Sequence, residues 1–329
     1  MNVDFGHMGA AAPASRRVVL AMTGAVAGGS MCSAAAQQRR SLQAAQRGVC
    51  DCHVHVFEPA TYPYARNRSY TPGTASVPEL RAFMAAVGTE RVVLVQPSVY
   101  ADDNACLVNA MQALGPDVAR GIAVINPATV TDAELRALHD AGVRGVRVNL
   151  EVRSEERRDA AAKAIRMAAD KVAPLGWSVQ VYADVEVIGG IAEVLGSLPV
   201  PVILDHFAGV KAERGSGQAG LAEVLRLMEA GRVYTKMSAL YRASRASPGY
   251  RDLKPTAQAL AAANPERIIW ASDWPHTGSS SARSPDQLGS IEPFRQIDDA
   301  HERELLKGWL PEEIHHRLFA ANAARLYDF

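Results

Sequence analysis

The sequence predicts a single (β/α)8 barrel of the TIM type, and three observations carry that expectation. Eight short runs rich in Val, Ile and small residues recur at about 31-residue intervals, the size of one βα unit. Helical patterns with recognisable caps fill the gaps between them. Residues 46–329 also match in length one barrel of roughly 250 residues with insertions.

The elements follow in order. Residues 1–45 stand apart as an export-type signal and linker. Ser15-Arg16-Arg17-Val18-Val19-Leu20 has the form of a twin-arginine signal. A weakly apolar run follows to about Gly29, and then the small-residue cleavage pattern Ser33-Ala34-Ala35-Ala36-Gln37. The run is too short and glycine-rich for a membrane span, so the expectation is a periplasmic protein with no membrane segment in its mature form. The expected strands are Cys50–Phe57, Arg91–Gln96, Arg120–Asn126, Val143–Leu150, Ser178–Ala183, Val200–Phe207, Val233–Ser238 and Arg267–Ser272. Each is near-continuous in apolar residues, as strands buried on both faces are. Helices are expected over Pro78–Val87, Asp103–Leu114, a stretch opened by the capping box Thr131-Asp132-Ala133-Glu134, Glu155–Ala173, Val185–Leu195, Ala219–Glu229, Leu253–Ala263 and Glu312–Tyr327. A doubly wound sheet is the competing architecture. It would usually carry a Gly-rich phosphate loop after its first strand, and none follows Phe57 here.

Composition narrows the function. With 35 basic and 35 acidic residues the chain has no net charge, which argues against a nucleic-acid partner. The four cysteines, Cys32, Cys50, Cys52 and Cys106, have neither zinc nor redox spacing and read as free thiols.

The chemistry sits at strand ends. His53 and His55 alternate on strand 1 and share a face with Asp51, which polarity places toward the barrel interior. His206 ends strand 6 and Asp273 ends strand 8. Strands 1 and 8 are neighbours in a closed barrel, so Asp273 reaches the histidine pair as a general base or a metal ligand.

Asp51-Cys52-His53-Val54-His55, Asp205-His206 and Ser272-Asp273-Trp274-Pro275-His276 together resemble the amidohydrolase superfamily, in the branch that includes the 2-pyrone-4,6-dicarboxylate lactonases. The resemblance runs from about Val49 to Leu326-Tyr327. It implies a hydrolase that opens a small anionic lactone, with Asp273 activating water while His53, His55 and His206 polarise the carbonyl. It also implies that Arg147 and Arg153 hold a substrate carboxylate, a task suited to the planar guanidinium. Arg242 would add a third cation, and Tyr70, Ser98, Tyr100 and Tyr182 neutral hydrogen bonds. Metal-dependent relatives add a His from strand 5 or a bridging Lys or Glu from strand 4. Here strand 5 reads Val179-Gln180-Val181-Tyr182 and strand 4 has no Lys. No cofactor is therefore favoured. A divalent metal such as zinc, if bound, would use His53, His55 and Asp273. The lactonases also carry an Arg shortly after the strand-6 His, where this chain has Phe207-Ala208-Gly209-Val210. A monocarboxylate or sugar-acid lactone is thus as compatible as a dicarboxylate. Three alternatives stay open: a metal-dependent hydrolase or decarboxylase on the same barrel, a lactone isomerase, and a non-catalytic exported binding protein. Oligomeric state is not legible.

Overall fold

The structure, a computed structural model, describes residues 48–150, 155–278 and 288–329. The signal-like residues 1–45 and Arg153 lie outside the described residues, as does much of the loop expected over Trp274–Leu288. Among the described residues no helix is long and apolar enough to cross a membrane.

Eight parallel strands pair in sequence order: β1 Cys50–Val54, β2 Arg91–Val95, β3 Ala119–Ala123, β4 Val143–Asn149, β5 Ser178–Tyr182, β6 Val202–Leu204, β7 Val233–Ser238 and β8 Ile268–Ala271. The ring closes just past the strand ends, where the His55 N–H donates to the Trp274 carbonyl (2.9 Å) and the Asp273 N–H to the His53 carbonyl (3.0 Å). This is the TIM-type barrel that the alternation of elements predicted.

Helices cover the outside: α1 Val77–Val87, α2 Ala105–Leu114, α3 Asp132–Asp140, α4 Glu155–Val172, α5 Val185–Gly190, α6 Ala192–Ser197, α7 Leu221–Glu229, α8 Leu240–Ala243, α9 Lys254–Ala263, α10 Asp299–Trp309 and α11 Asn322–Tyr327. The α3 cap is as expected, with Thr131 Oγ1 accepting from the Glu134 N–H. Several expectations are corrected. The helix expected over Val185–Leu195 is two helices, α5 and α6, broken at Ile191 (φ −117°). Within α5, Gly189 packs so close to the Gly220 backbone that a Cβ would lie 2.3 Å from its Cα. Glu312–Tyr327 is not one helix but a 3-10 turn, a π turn and then α11. Helix α10 was not anticipated. Its signal was the N-cap Asp298, whose side chain accepts from the His301 N–H at 2.9 Å.

Inside the barrel the lower layer is apolar, with Cys50, Cys52, Val93, Val95, Ile203, Tyr234, Ile269 and Tyr327. Cys50, Cys52 and Cys106 are free thiols, as expected. One face assignment is wrong. Asp51 does not share the inward face with His53 and His55. The β1–β2 register shifts between Asp51 and Val54, where three β1 residues span two of β2. Such a bulge breaks strict alternation. Cys50 and Cys52 therefore face inward, and so do His53 and His55. Asp51 turns away and its Oδ1 accepts from the backbone N–H groups of Ser272 (3.0 Å) and His53 (3.2 Å). Burial, opposed by these hydrogen bonds, lifts its carboxyl to about 7.

Candidate active site

The upper barrel interior is polar. Alternation along β5 and β7 turns Gln180, Tyr182, Lys236 and Ser238 inward. Three residues at the ends of β6, β7 and β8 take left-handed backbone: His206 (φ 45°), Ala239 (φ 49°) and Asp273 (φ 72°). Non-glycine residues rarely adopt it, and it concentrates at functional sites. Here it bends the chain over the barrel mouth and swings His206 and Asp273 above the β1 histidines.

Asp273 is the hub. Its Oδ1 lies 3.6 Å from His53 Nε2, 3.7 Å from His55 Nε2 and 3.8 Å from His206 Nε2. Its Oδ2 accepts from Arg242 Nε at 2.6 Å and from the Tyr241 hydroxyl at 2.7 Å. Burial by itself would raise this carboxyl, but the Arg242 guanidinium holds it well below the usual range. The imidazoles go the other way. Burial lowers His55 and His206 to about 4 each, and His53 well below its ordinary value. All three rings are thus neutral near pH 7.

The second hub was only half legible. Asp205 Oδ1 lies 3.3 Å from His53 Nδ1 and 3.2 Å from Lys236 Nζ. Its Oδ2 accepts from Gln180 Nε2 at 3.0 Å and faces Arg147 Nη2 at 3.5 Å. Lys236, fully buried, also donates to Gln180 Oε1 at 2.7 Å. Lys236, Gln180, Tyr241 and the role of Asp205 were missed by sequence reasoning. Lys236 did leave a signal: a lysine inside the apolar strand Val233–Ser238 is too costly to bury unless paired.

A cavity of about 50 Å³ sits over this centre, lined by His55, Tyr70, Ser98, Arg147, Tyr182 and Arg242 together with Asn149, His206, Asp273, Thr277 and Gly278. The expected residues Tyr70, Ser98, Tyr182, Arg147 and Arg242 thus converge. Tyr100 does not. Its hydroxyl accepts from the Glu58 N–H at 2.9 Å, and its ring packs on Tyr64. Tyr100 anchors the loop after β1 and leaves the cavity to Tyr70. Arg242 is placed at the site, but on Asp273, and not as a free arm. Its Nη2 donates to the Thr277 carbonyl (2.9 Å) and Oγ1 (3.2 Å), and its Nη1 to the Gly278 carbonyl (3.5 Å). A cavity of about 580 Å³ lies outside the barrel mouth between α1 and residues 294–300. It holds none of His53, His55, His206 and Asp273, so size does not mark the site here.

A divalent ion fits the donor spacing. His53 Nε2 and His55 Nε2 are 3.2 Å apart, and His53, His55 and Asp273 form one of two groups among the described residues able to hold a metal; His53, Asp205 and His206 form the other. Neutral imidazoles and an ionised carboxylate are the donors zinc takes.

The comparisons with known proteins agree with this geometry. The amidohydrolase family model matches residues 50–329. The chain is 32% identical over 285 residues to the 4-sulfomuconolactone hydrolase of Hydrogenophaga intermedia, covering 85% of this chain and 88% of that one. It is 34% identical over 239 residues to the 2-pyrone-4,6-dicarboxylate hydrolase of Comamonas testosteroni, covering 70% and 77%. A structure from Acinetobacter baumannii, solved with citric acid bound, superposes with a TM-score of 0.68 at 25% identity, covering 86% of this chain and all of the other. Barrel, strand-end histidines and aspartate, and family match coincide over the same residues, and the chain belongs to the amidohydrolase family.

Proposed function

We propose that this chain hydrolyses a carboxylated lactone at the Asp273 centre. The observation that carries the reading is a charge count. Arg147, Arg242 and Lys236 face only two ionised carboxylates, Asp205 and Asp273, among neutral imidazoles. The site is one positive charge in excess and buried, so it favours an anion. The relatives named for 4-sulfomuconolactone and 2-pyrone-4,6-dicarboxylate act on such anions, and the A. baumannii protein holds a tricarboxylate.

In the proposed reaction Asp273 takes a proton from water, and the hydroxide oxygen adds to the lactone carbonyl carbon. His53 and His206 face the developing oxyanion, and His55, whose Nδ1 donates to the Val95 carbonyl (2.7 Å), lies beside them. The ring C–O bond then breaks, and protonated Asp273 returns its proton to the leaving oxygen. Arg147, together with Arg153, pairs with the substrate carboxylate. Tyr70, Ser98 and Tyr182 orient the ring. A cavity of about 50 Å³ holds one or two waters, so a lactone enters only if side chains yield. A divalent ion, when bound on His53, His55 and Asp273, would supply Lewis acidity at the carbonyl. The Lys236 ammonium, 3.1 Å behind the His53 ring, opposes a dication in front of it. A metal-free reaction is therefore favoured.

The test is turnover of a lactone panel (4-sulfomuconolactone, 2-pyrone-4,6-dicarboxylate and sugar-acid lactones) with and without chelator, products read by NMR. Ring opening insensitive to chelation, lost by about 1000-fold or more in Asp273→Asn, is the expected result. No turnover of any lactone sinks the reading. A product that remains a lactone points instead to an isomerase, and near-stoichiometric zinc with activity lost on chelation hands the polarising role to the ion. We further propose that Ser15–Gln37 directs twin-arginine export to the periplasm, testable by fractionating cells that express the Arg16→Lys, Arg17→Lys variant. Unchanged periplasmic yield refutes it.

A further inference from the structure

We propose that Lys236 is a positioning residue that fixes the ring proton of His53 on Nε2, where it points into the catalytic space. The proton position is assigned from the hydrogen-bond network at both ends of the ring. At one end, Lys236 Nζ lies 3.1 Å from His53 Nδ1, 2.7 Å from Gln180 Oε1 and 3.2 Å from Asp205 Oδ1. An ammonium has three donors and no acceptor. The first two are hydrogen bonds and the third is an ion pair, and because the ammonium can only donate, Nδ1 must offer it a lone pair. Asp205 Oδ1, although 3.3 Å from Nδ1, makes no hydrogen bond of acceptable geometry.

The other end gives the same answer independently. His55 Nδ1 lies 2.7 Å from the Val95 carbonyl, which can only accept. His55 therefore carries its proton on Nδ1 and is bare at Nε2. His53 Nε2 sits 3.2 Å from that bare nitrogen. In the metal-free site proposed above, two lone pairs facing each other at this distance repel, so His53 Nε2 carries the hydrogen. A doubly protonated ring is excluded by the ammonium beside it.

The consequence is directional. His55 presents an acceptor to the space around Asp273 Oδ1 and His53 presents a donor. A donor there can stabilise an oxyanion; the other tautomer would present a second lone pair to developing negative charge. Lys236 touches no substrate in this account. It acts through His53, held by Gln180 and Asp205 at the bottom of the site. Only the kinetic consequence rests on the lactone-hydrolase reading. The tautomer is read without substrate, so the two can fail separately.

The experiment is nitrogen-15 NMR of histidine-labelled full-length protein, with the His53 ring assigned by its disappearance in His53→Gln. Wild type is expected to show the proton on Nε2 of His53 and on Nδ1 of His55. In Lys236→Met the only acceptor left beside Nδ1 is Asp205, and the proton is expected to move to Nδ1. That variant should lose roughly 100- to 1000-fold in kcat, the effect of removing one oxyanion donor, with KM changed less than about threefold. A wild-type His53 protonated on Nδ1 overturns the proposal, even if Lys236→Met fails to fold. So does a folded Lys236→Met whose His53 keeps the wild-type pattern, since Lys236 would then be merely structural.

Discussion

Replacing Arg242 by Gln tests how Asp273 is kept ionised. The guanidinium Nε is 2.6 Å from Asp273 Oδ2, with charge centres about 4 Å apart. At an effective dielectric of about 20 such a pair is worth about 4 kcal/mol, or about 3 pKa units on the carboxyl. The sign follows from the role. The base must be ionised, so activity falls as pH drops through the Asp273 pKa. Removing the cation raises that pKa and moves the acid limb upward. His55 and His206, at about 4, are themselves partly held down by Arg242, so their limbs move the same way. The expected result is that an acid limb lying at or below about pH 4 in wild type rises by about 2 to 3 pH units in both kcat and kcat/KM, measured by ring opening followed over roughly pH 3 to 9. Because Arg242 is also in the cavity, KM should rise, but that does not move kcat with pH. An acid limb that coincides with wild type within about half a unit, in a variant with a native circular dichroism spectrum, refutes the Arg242–Asp273 linkage.

Three further outcomes are expected. Arg147→Lys keeps the charge but not the fork, so KM should rise by about 10- to 100-fold with a smaller change in kcat; unchanged KM removes Arg147 from substrate binding. Tyr100→Phe loses one hydrogen bond to the Glu58 backbone, costing about 1 kcal/mol of stability while kcat/KM stays within about twofold; a large kinetic loss with an unchanged melting temperature would return Tyr100 to the site. Glu302 is lifted by burial to about 8 from an ordinary 4.5. The fold thus retains a proton that the unfolded chain releases, and stability drains away as pH rises from about 4.5 to 8, by as much as about 5 kcal/mol at the upper end. Glu302→Gln should therefore melt higher than wild type at pH 8 and show little gain near pH 5. An equal shift at both values contradicts the burial of a protonated acid.

The barrel was legible because its signal is local and repeated. Eight β-rich runs at regular spacing need no knowledge of partners, and runs buried on both faces are apolar throughout. The strand-end residues His53, His55, His206 and Asp273 were legible for the same reason: polar groups in such runs are costly and stand out. Arg147 and Tyr182 came from the family resemblance and not from the pattern of the chain. What alternation could not supply was any effect that crosses strands. The β1 bulge, which turns Asp51 away from the histidines, is defined only by the register against β2. The pairing of Arg242 with Asp273, and of Lys236 with Asp205 and His53, joins residues 31 to 183 positions apart. In sequence Arg242 was one more cation for a substrate, and the place of Lys236 in an apolar strand marked a buried charge without naming its partner. Residue type by itself fixed which charges are present. Only closure of the barrel decided which of them face each other, and hence that Asp273 is held ionised and His53 points a donor at the reacting atoms.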